Sequence, residues 1–142
     1  MKTVQHILNN KPAIVYAVSS HDSVFDALEL MMEKNISALL VIEHDELLGI
    51  FTERDYARKI ILQGKASKDT SIREVMTANP QTITSFDRID HCMSLMTNNH
   101  FRHLPVVENK QVIGMLSIGD LVKSIIEDQK ETISQLESYI NS

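Results

Sequence analysis

A seven-residue motif that occurs twice constrains this chain more than any other feature. Residues 49–55 read GIFTERD, and residues 114–120, 65 positions later, read GMLSIGD. Each copy holds a glycine, two apolar residues, a hydroxyl residue and, three positions after the hydroxyl, an aspartate. The surrounding chain keeps the same register without a gap, over residues 18–61 and 83–126. A repeat of this kind indicates two copies of one supersecondary unit.

The hydrophobic pattern predicts the order β-α-β-β-α in each unit. Ser23 and Asp26 have the spacing of a capping box at a helix start, and Gly64 is a helix stop. A short helix or helical turn precedes Pro12 and Pro80, which are 68 positions apart, so the lead-in differs between the units. The predicted strands are residues 14–18, 39–42, 47–51, 82–84, 104–107 and 112–116. The predicted helices are residues 4–8, 24–31, 52–61, 72–76, 89–96 and 121–126.

These elements predict an α/β (α+β) fold made of two tandem repeats. We place the first repeat at residues 1–66, the second at 67–127 and a C-terminal helical extension at 128–142. Each repeat has too few apolar residues to enclose a core alone, so the two are expected to pack about a pseudo-twofold axis.

Composition limits the class of protein. The chain has 142 residues, 43% of them hydrophobic, and a net charge of −5, which argues against nucleic acid as a partner. It lacks an apolar run of membrane-spanning length and a secretory signal, so no membrane association is expected. The single cysteine, Cys92, excludes an internal disulfide and stands at an apolar helix position typical of a buried thiol. A cytoplasmic protein is expected.

The repeated hydroxyl and acid pair has two interpretations. Thr52 with Asp55, and Ser117 with Asp120, have the spacing of a capping box, which satisfies free backbone N–H groups without a ligand. The other interpretation is a binding site, in which the carboxylate accepts hydrogen bonds from the two hydroxyls of a ribose. The hydroxyl and the helix start would then favour a phosphate.

Basic residues close to the two acids are also ambiguous. Arg58 and Lys123 each lie three residues after the acid, so each could form a local ion pair on a helix or bind a phosphate. The segment 54–73 holds an excess of lysine and arginine in an acidic protein, which is either a solvated surface or an anion site.

Several stretches together resemble a tandem pair of CBS domains, the adenosyl-ligand-binding modules named after cystathionine beta-synthase. The resemblance is carried by the two seven-residue motifs, by FRHLPV at residues 101–106, and by residues 51–59 with 64–70, which look like a two-repeat subgroup. It implies paired β-α-β-β-α units, often dimerised into a flat disc. The implied ligands are AMP, ADP, ATP, NAD or S-adenosylmethionine, with no metal cofactor.

The resemblance also implies which residues contact the ligand. Arg102 and His103 are placed near the ligand phosphate, although a strand-edge pair facing water is the alternative. The first repeat has Ser37 and Ala38 at the equivalent positions, so the two sites are expected to be unequal. Tyr16 could stack on adenine, but partly buried packing is preferred. The candidate ligand-binding residues are Tyr16, Thr52, Arg54, Asp55, Arg58, Thr82, Ile83, Arg102, His103, Ser117, Asp120 and Lys123.

A metal site is the weaker interpretation of the histidines. His100 and His103 are three residues apart, but no third ligand is evident in the sequence and His91 falls on the polar side of its helix.

The C-terminal extension carries an apolar stripe. Ile126, Ile133 and Ile140 are seven residues apart, with Leu136 on the same side. Such a stripe needs a partner. It either packs back on its own domain or, as we expect, pairs two helices in a homodimer.

The sequence therefore predicts a non-catalytic regulatory module that binds an adenosyl ligand between two repeats and signals to a partner protein. The alternative is a protein-interaction module without a physiological nucleotide. A third, weaker interpretation is an enzyme that acts on a nucleotide.

Overall fold

The computed structural model describes residues 2–12 and 14–141, and its elements follow the order that the repeat predicts. The strands are β1 Ala17–Val18, β2 Ala38–Glu43, β3 Glu46–Thr52, β4 Thr77–Ala78, β5 His103–Glu108 and β6 Gln111–Ser117. The helices are α1 Val4–Asn9, α2 Val24–Lys34, α3 Glu53–Tyr56, α4 Ile72–Val75, α5 Ile89–Asn99 and α6 Ile118–Asn141. A wide π-helical turn, Ala57–Ile61, continues α3. Within the described residues, no helix is both long and apolar enough to cross a bilayer.

The two repeats use the same local devices at matching positions. Helix α2 ends at Asn35 and α5 at His100, and both residues are in the left-handed conformation, with φ of 54° and 58°. Such residues end a helix because they turn the last backbone carbonyls toward new donors. In the β2–β3 and β5–β6 hairpins both turn residues have positive φ, as tight two-residue turns require. The local structure therefore repeats as closely as the sequence does.

One strand crosses from the second repeat to the first. The larger sheet has the order β1-β2-β3-β4, and the smaller one pairs β5 with β6. Strand β4, in the lead-in of the second repeat, pairs antiparallel with β3, so that Thr77 lies opposite Ile50 and Ala78 opposite Gly49. This pairing brings the second repeat's lead-in to the end of β3, where the first copy of the motif stands.

The lead-in helices are exchanged between the two cores. Val4 and Ile7 of α1 are buried among Ile83, Cys92 and Leu104 of the second repeat. Conversely, Ile72 and Val75 of α4 are buried in the core of the first repeat. The segment placed at 1–66 thus contributes to both cores, and the proposed domain boundaries stay a prediction.

The sheets of the two repeats pack on each other. Buried Leu40 and Ile50 of the first repeat contact a group that includes Val112 and Met115 of the second. The predicted mixed fold of two packed repeats is confirmed by this arrangement.

Two of the predicted strands are wrong in extent. The strand expected over residues 14–18 is only β1, because Ile14 is 60% exposed and lies off the sheet. The strand expected over residues 82–84 is only a single bridge between Ile83 and Val106. The Ile83 amide donates a hydrogen bond to the Pro105 carbonyl, and the Val107 amide donates one to the Ile83 carbonyl. The ladder does not extend further because Pro105 has no N–H to donate.

The equivalent glycines of the two motifs give a test of this packing. A Cβ added at Gly49 would lie 2.7 Å from both Met76 Sδ and the backbone oxygen of Thr77, whereas one at Gly114 would lie 2.8 Å from Leu8 Cδ2. A leucine side chain can rotate away, but a backbone carbonyl held in a strand pair cannot. We expect Gly49→Ala to lower the free energy of unfolding by about 1–3 kcal/mol and Gly114→Ala by less, measured by urea denaturation. Equal losses would contradict this account of the β3–β4 pairing.

Candidate functional site

Asp55 and Thr52 form a reciprocal cap where β3 passes into α3. The Thr52 amide donates to Asp55 Oδ2 at 3.0 Å, and the Asp55 amide donates to Thr52 Oγ1 at 3.2 Å. The side chain of Asp55 is buried, with the residue 8% exposed. The capping interpretation of the first motif is therefore correct as far as the folded chain alone is concerned.

The other oxygen of Asp55 connects the two repeats. The Thr77 hydroxyl donates to Asp55 Oδ1 at 3.1 Å, and the Lys59 ammonium lies 3.1 Å from the same oxygen. Lys59 also donates to the carbonyl of Val75 at 2.9 Å. One carboxylate thus holds the end of β3, the helix that follows and the strand β4 from the second repeat.

Of the two interpretations left open for Arg58, the local ion pair with Asp55 is not present in the described part of the chain. The ion pair is formed by Lys59, four residues after the acid, and among the described residues no ion pair joins Arg58 to Asp55. The i,i+4 spacing was available in the sequence as a signal. Arg58 is exposed instead and lines a cleft beside the motif.

The second repeat brings its own polar groups to the same place. After α5 the chain turns at His100, and Arg54 Nη1 donates to the His100 carbonyl at 3.1 Å. The His103 ring lies 3.3 Å from the Ser37 hydroxyl, so the basic pair of the second repeat faces its counterpart in the first. Burial lowers the pKa of His103, and the nearby charges of Arg102 and Lys11 add to this, while Asp120 opposes it. The ring is therefore held toward its neutral form.

These elements enclose a cleft of about 1150 Å³ between the two repeats. Arg54, Arg58, Lys59 and Arg102 line it together with two acids, Glu53 and Asp55, so cations exceed anions among its charged groups. Apolar and amide groups complete the lining. They are Ile50, Met96, Phe101, Ile118, Asn79, Gln81 and Asn99. The cleft thus combines an electropositive end, apolar surface and several hydrogen-bonding groups, a combination typical of ligand sites.

The second copy of the motif is folded in the same way, but its acid is paired with a lysine from a different part of the chain. The Ser117 amide donates to Asp120 Oδ2 at 2.9 Å, and the Asp120 amide donates to Ser117 Oγ at 3.2 Å. Lys11 Nζ donates to the same Oδ2 at 2.9 Å and to the Met115 carbonyl at 2.9 Å. Here the lysine comes from the N-terminal lead-in rather than from the following helix. The small cavity beside Lys11 has a volume of about 40 Å³.

The charges around Asp120 favour its ionised form. Burial by itself raises the pKa of this carboxyl, but the hydrogen bond from the Ser117 amide and the adjacent Lys11 ammonium more than offset it and hold the pKa below its usual value of 3.8.

The structure gathers half of the candidate ligand-binding residues in the cleft. Those lining it are Thr52, Arg54, Asp55, Arg58, Arg102 and His103. Tyr16 instead packs against the core of the first repeat, with Lys34 Nζ 5.7 Å from its ring centre. Ile83 is 3% exposed in the core of the second repeat. Thr82, Ser117, Asp120 and Lys123 are likewise not among the residues lining the cleft. A ligand role for the residues outside the cleft stays a prediction.

Several lining residues were missed because they stand outside the repeated register. Thr77, Asn79 and Gln81 belong to the lead-in of the second repeat, where the two repeats differ in length. Only the fold shows that this lead-in crosses to the first repeat. Among residues 2–12 and 14–141 there is no group of three or more histidine, cysteine or acidic side chains that could hold a metal ion.

Comparison with known proteins shows the family. The CBS domain family model matches residues 4–62 and 72–127. A CBS-domain structure from Burkholderia ambifaria MC40-6 is 50% identical, with a TM-score of 0.87 over 90% of this chain and 96% of that one. The CBS domain pair of protein MJ0100, solved in complex with 5'-methylthioadenosine and S-adenosyl-L-methionine, is 28% identical, with a TM-score of 0.77 over 90% of this chain and 98% of that one.

Curated relatives are longer than this chain. The mitochondrial CBS domain-containing protein CBSX3 of Arabidopsis thaliana is 42% identical over 127 residues, which cover 86% of this chain and 62% of that protein. The match covers 22% of the Arabidopsis protein CBSCBSPB2. The family match and the structural likeness together show that this chain belongs to the CBS domain family, as a tandem pair of repeats.

The paired state of Asp120 predicts a pH dependence of stability. Because its pKa in the folded chain lies below that of the unfolded chain, the carboxylate contributes stability above about pH 4 and loses it as the pH falls through the folded-state pKa. We expect the difference in unfolding free energy between the wild type and Asp120→Asn to be complete at pH 6 and to shrink toward pH 3, measured by urea denaturation. Asp69→Asn, in the exposed connector, is the control. A difference that does not change with pH would contradict the proposed pairing with Lys11.

Proposed function

We propose that this member of the CBS domain family is a non-catalytic regulatory module that binds an adenine nucleotide in the cleft between its repeats and transmits occupancy to a partner protein. The observation that carries the proposal is the meeting of Asp55 from the first repeat with Arg102 from the second in one cleft of about 1150 Å³. An acid that suits a ribose and a guanidinium that suits a phosphate then stand at two parts of a single site.

The phosphate end of the ligand would lie against the arginines. Arg54, Arg58 and Arg102 are all exposed and line the cleft, so they can reach an anion without losing a buried contact. Guanidinium groups bind phosphate through paired hydrogen bonds, and such charge-assisted bonds are stronger when the site is partly enclosed.

The adenine would lie on apolar surface. Phe101 and Ile118 line the cleft and are 37% and 39% exposed, so they offer apolar area that a purine ring could cover. Asn79, Gln81 and Asn99 supply the amide groups that could read the edge of the base.

The ribose would be bound in competition with groups already present. Asp55 accepts hydrogen bonds or an ion pair on both oxygens, so the ribose hydroxyls must share or replace the contacts of Thr77 and Lys59. Thr77 belongs to β4, and Lys59 also holds the Val75 carbonyl at the end of α4. An exchange at Asp55 would therefore disturb the joint between the repeats, which gives a physical route from occupancy to signal.

The excess of cations lining the cleft favours negatively charged adenosyl ligands over positively charged ones. Adenine nucleotides and NAD bring negative phosphates, whereas S-adenosylmethionine brings a positive sulfonium that the lining arginines would repel. We therefore propose AMP, ADP, ATP or NAD as the ligand before S-adenosylmethionine, although the MJ0100 domain pair was solved with the latter. No metal cofactor is part of the proposal.

The other expectations from the sequence complete the proposal. We propose a homodimer in the cytoplasm with neither nucleic acid nor membrane as partner. The Cys92 thiol is buried, and burial raises its pKa to about 11, which fits an unreactive core residue rather than a redox site.

One observation favours the alternative of an interaction module without a nucleotide. Both motif acids cap the helix that follows them, so each already has a role in the folded chain without a ligand. An enzyme would be indicated instead if a nucleotide incubated with the protein were converted to product, which chromatography of the ligand would reveal.

Thermal melts test the ligand. A nucleotide present at 100 times its dissociation constant should stabilise the folded chain by about 2.7 kcal/mol. We expect a rise in Tm with at least one of AMP, ADP, ATP and NAD and a smaller rise with S-adenosylmethionine. Asp55→Ala should lose the rise, whereas Asp87→Ala, which removes an acid that caps the Thr84 amide outside the cleft, should keep it. Unchanged melting with every one of these compounds would leave the interaction module as the better function.

A second test concerns the phosphate. Arg102→Ala should weaken binding of AMP by about tenfold or more while leaving adenosine nearly unaffected, because a charge-assisted contact to phosphate is lost. Calorimetry with both compounds measures the two affinities. Lys110→Ala, which removes an exposed cation outside the cleft, is the control. Equal weakening of AMP and adenosine would show that Arg102 has a structural role.

A further inference from the structure

The end of helix α6 extends away from the rest of the chain. Every residue from Gln129 to Asn141 is exposed, although the helix starts among core residues such as Leu121. A helix of this length is marginally stable in water by itself. This exposed arm, residues 129–141, therefore needs a surface to pack against, and the chain's own repeats do not provide one. The alternative that the stripe folds back on its own repeat is wrong.

The exposed arm carries a regular apolar seam. Six residues recur at alternating spacings of four and three, and five of them are apolar. They are Val122, Ile126, Gln129, Ile133, Leu136 and Ile140. The apolar members are between 43% and 77% exposed. This spacing averages 3.5 residues and is the pattern with which two helices pair along a seam about 27 Å long.

The opposite face of α6 is already covered. Lys2 Nζ lies 2.8 Å from Asp128 Oδ1 and 3.3 Å from Glu131 Oε1, so the N-terminal segment is tied to the side of the helix that faces away from the seam. At 100° per residue, Asp128 lies about 120° and Glu131 about 180° from the centre of the seam. The N-terminal segment therefore leaves the seam open.

We propose that the seam binds the same seam of a second copy of this chain, with the two α6 helices antiparallel. The charged residues beside the seam decide whether the two helices run parallel or antiparallel. Lys123, Lys130 and Glu137 flank the seam on one side, and Ile125, Thr132 and Tyr139 flank it on the other. In a parallel pair each charged flank would face an uncharged one, whereas in an antiparallel pair like flanks meet and opposite charges can face each other.

Burial of the seam sets the register. A crossing point near Glu131 places Ile140 against the partner's Val122, Leu136 against the partner's Ile126, and Ile133 against the partner's Gln129. Each Glu137 then faces the partner's Lys123, twice by symmetry. A shift by one heptad would pair Glu137 with Lys130 but would leave Val122 and Ile126 without a partner. Burying these apolar side chains outweighs the repulsion of two Lys130 ammonium groups that can reach water.

This inference rests on the homodimer of the proposed function but not on its nucleotide. Sedimentation velocity of the ligand-free full chain should show twice the monomer mass of 16.1 kDa. Ile133→Asp combined with Leu136→Asp should give a monomer that still unfolds cooperatively in urea, because both residues lie outside the folded body, while the unpaired end of α6 loses helical circular dichroism. A full chain that is monomeric, or a double variant that stays dimeric, would overturn the proposal.

Charge reversal tests the direction and the register. Glu137→Lys and Lys123→Glu should each raise the dissociation constant of the dimer about tenfold, because each turns two attractive pairs into repulsive ones. An equimolar mixture of the two variants should restore the wild-type constant, since both pairs are attractive again in the heterodimer. Glu127→Lys makes the same change of charge away from the seam and should have no effect. Failure of the mixture to recover would overturn the proposed direction. A rise in the dissociation constant with Lys130→Glu alone would overturn the proposed register, because in that register Lys130 faces only the partner's Lys130.

Discussion

The fold depends on an exchange of lead-in helices between two incomplete cores. Helix α1 is buried in the second repeat and α4 in the first, so neither repeat can bury its apolar side chains with its own segments alone. Strand β4 follows α4 across this boundary and pairs with β3. Because β3 leads directly into Asp55, the same exchange that completes the cores also builds the cleft. In the proposed function, stability and ligand binding are therefore coupled through one stretch of chain, residues 72–81.

A motif acid can cap a helix and contact a ligand at the same time. In Asp55 one oxygen satisfies the helix start through the Thr52 amide, and the other oxygen holds Thr77 and Lys59 from across the repeat boundary. The first function is fixed by the spacing of the motif and the second by the tertiary fold. A ligand that binds the carboxylate would leave the cap intact and act on the contacts between repeats. This division suits a sensor, which has to change without unfolding.

The sequence predicts most of the fold because the repeat supplies two independent observations of each element. The paired strands and the helices after residues 23 and 88 follow from local pattern. The extents of β1 and of the bridge at Ile83 do not, because they depend on which neighbours the lead-ins find. The cleft shows the same division. Asp55 could be named from the repeat and Arg102 from the family resemblance, whereas Thr77 could not be named, since its position depends on the crossing of β4.

The two copies of the motif have diverged in how their charge is balanced, and this divergence argues for one strong site. Asp55 is paired with Lys59 from the helix that follows it, which leaves Arg54, Arg58 and Arg102 with exposed side chains in a large cleft. Asp120 is paired with Lys11 from the N-terminal lead-in, beside a cavity of only about 40 Å³. In the repeated register the first repeat has the uncharged Ser37 and Ala38 where the second repeat has Arg102 and His103. An anionic ligand therefore meets three exposed arginines at the first motif, whereas at the second motif the nearby Lys11 ammonium is already bound to Asp120 and to the Met115 carbonyl. Duplication gave both motifs the same cap, and the different lead-ins and strand-edge residues then made their surroundings unequal.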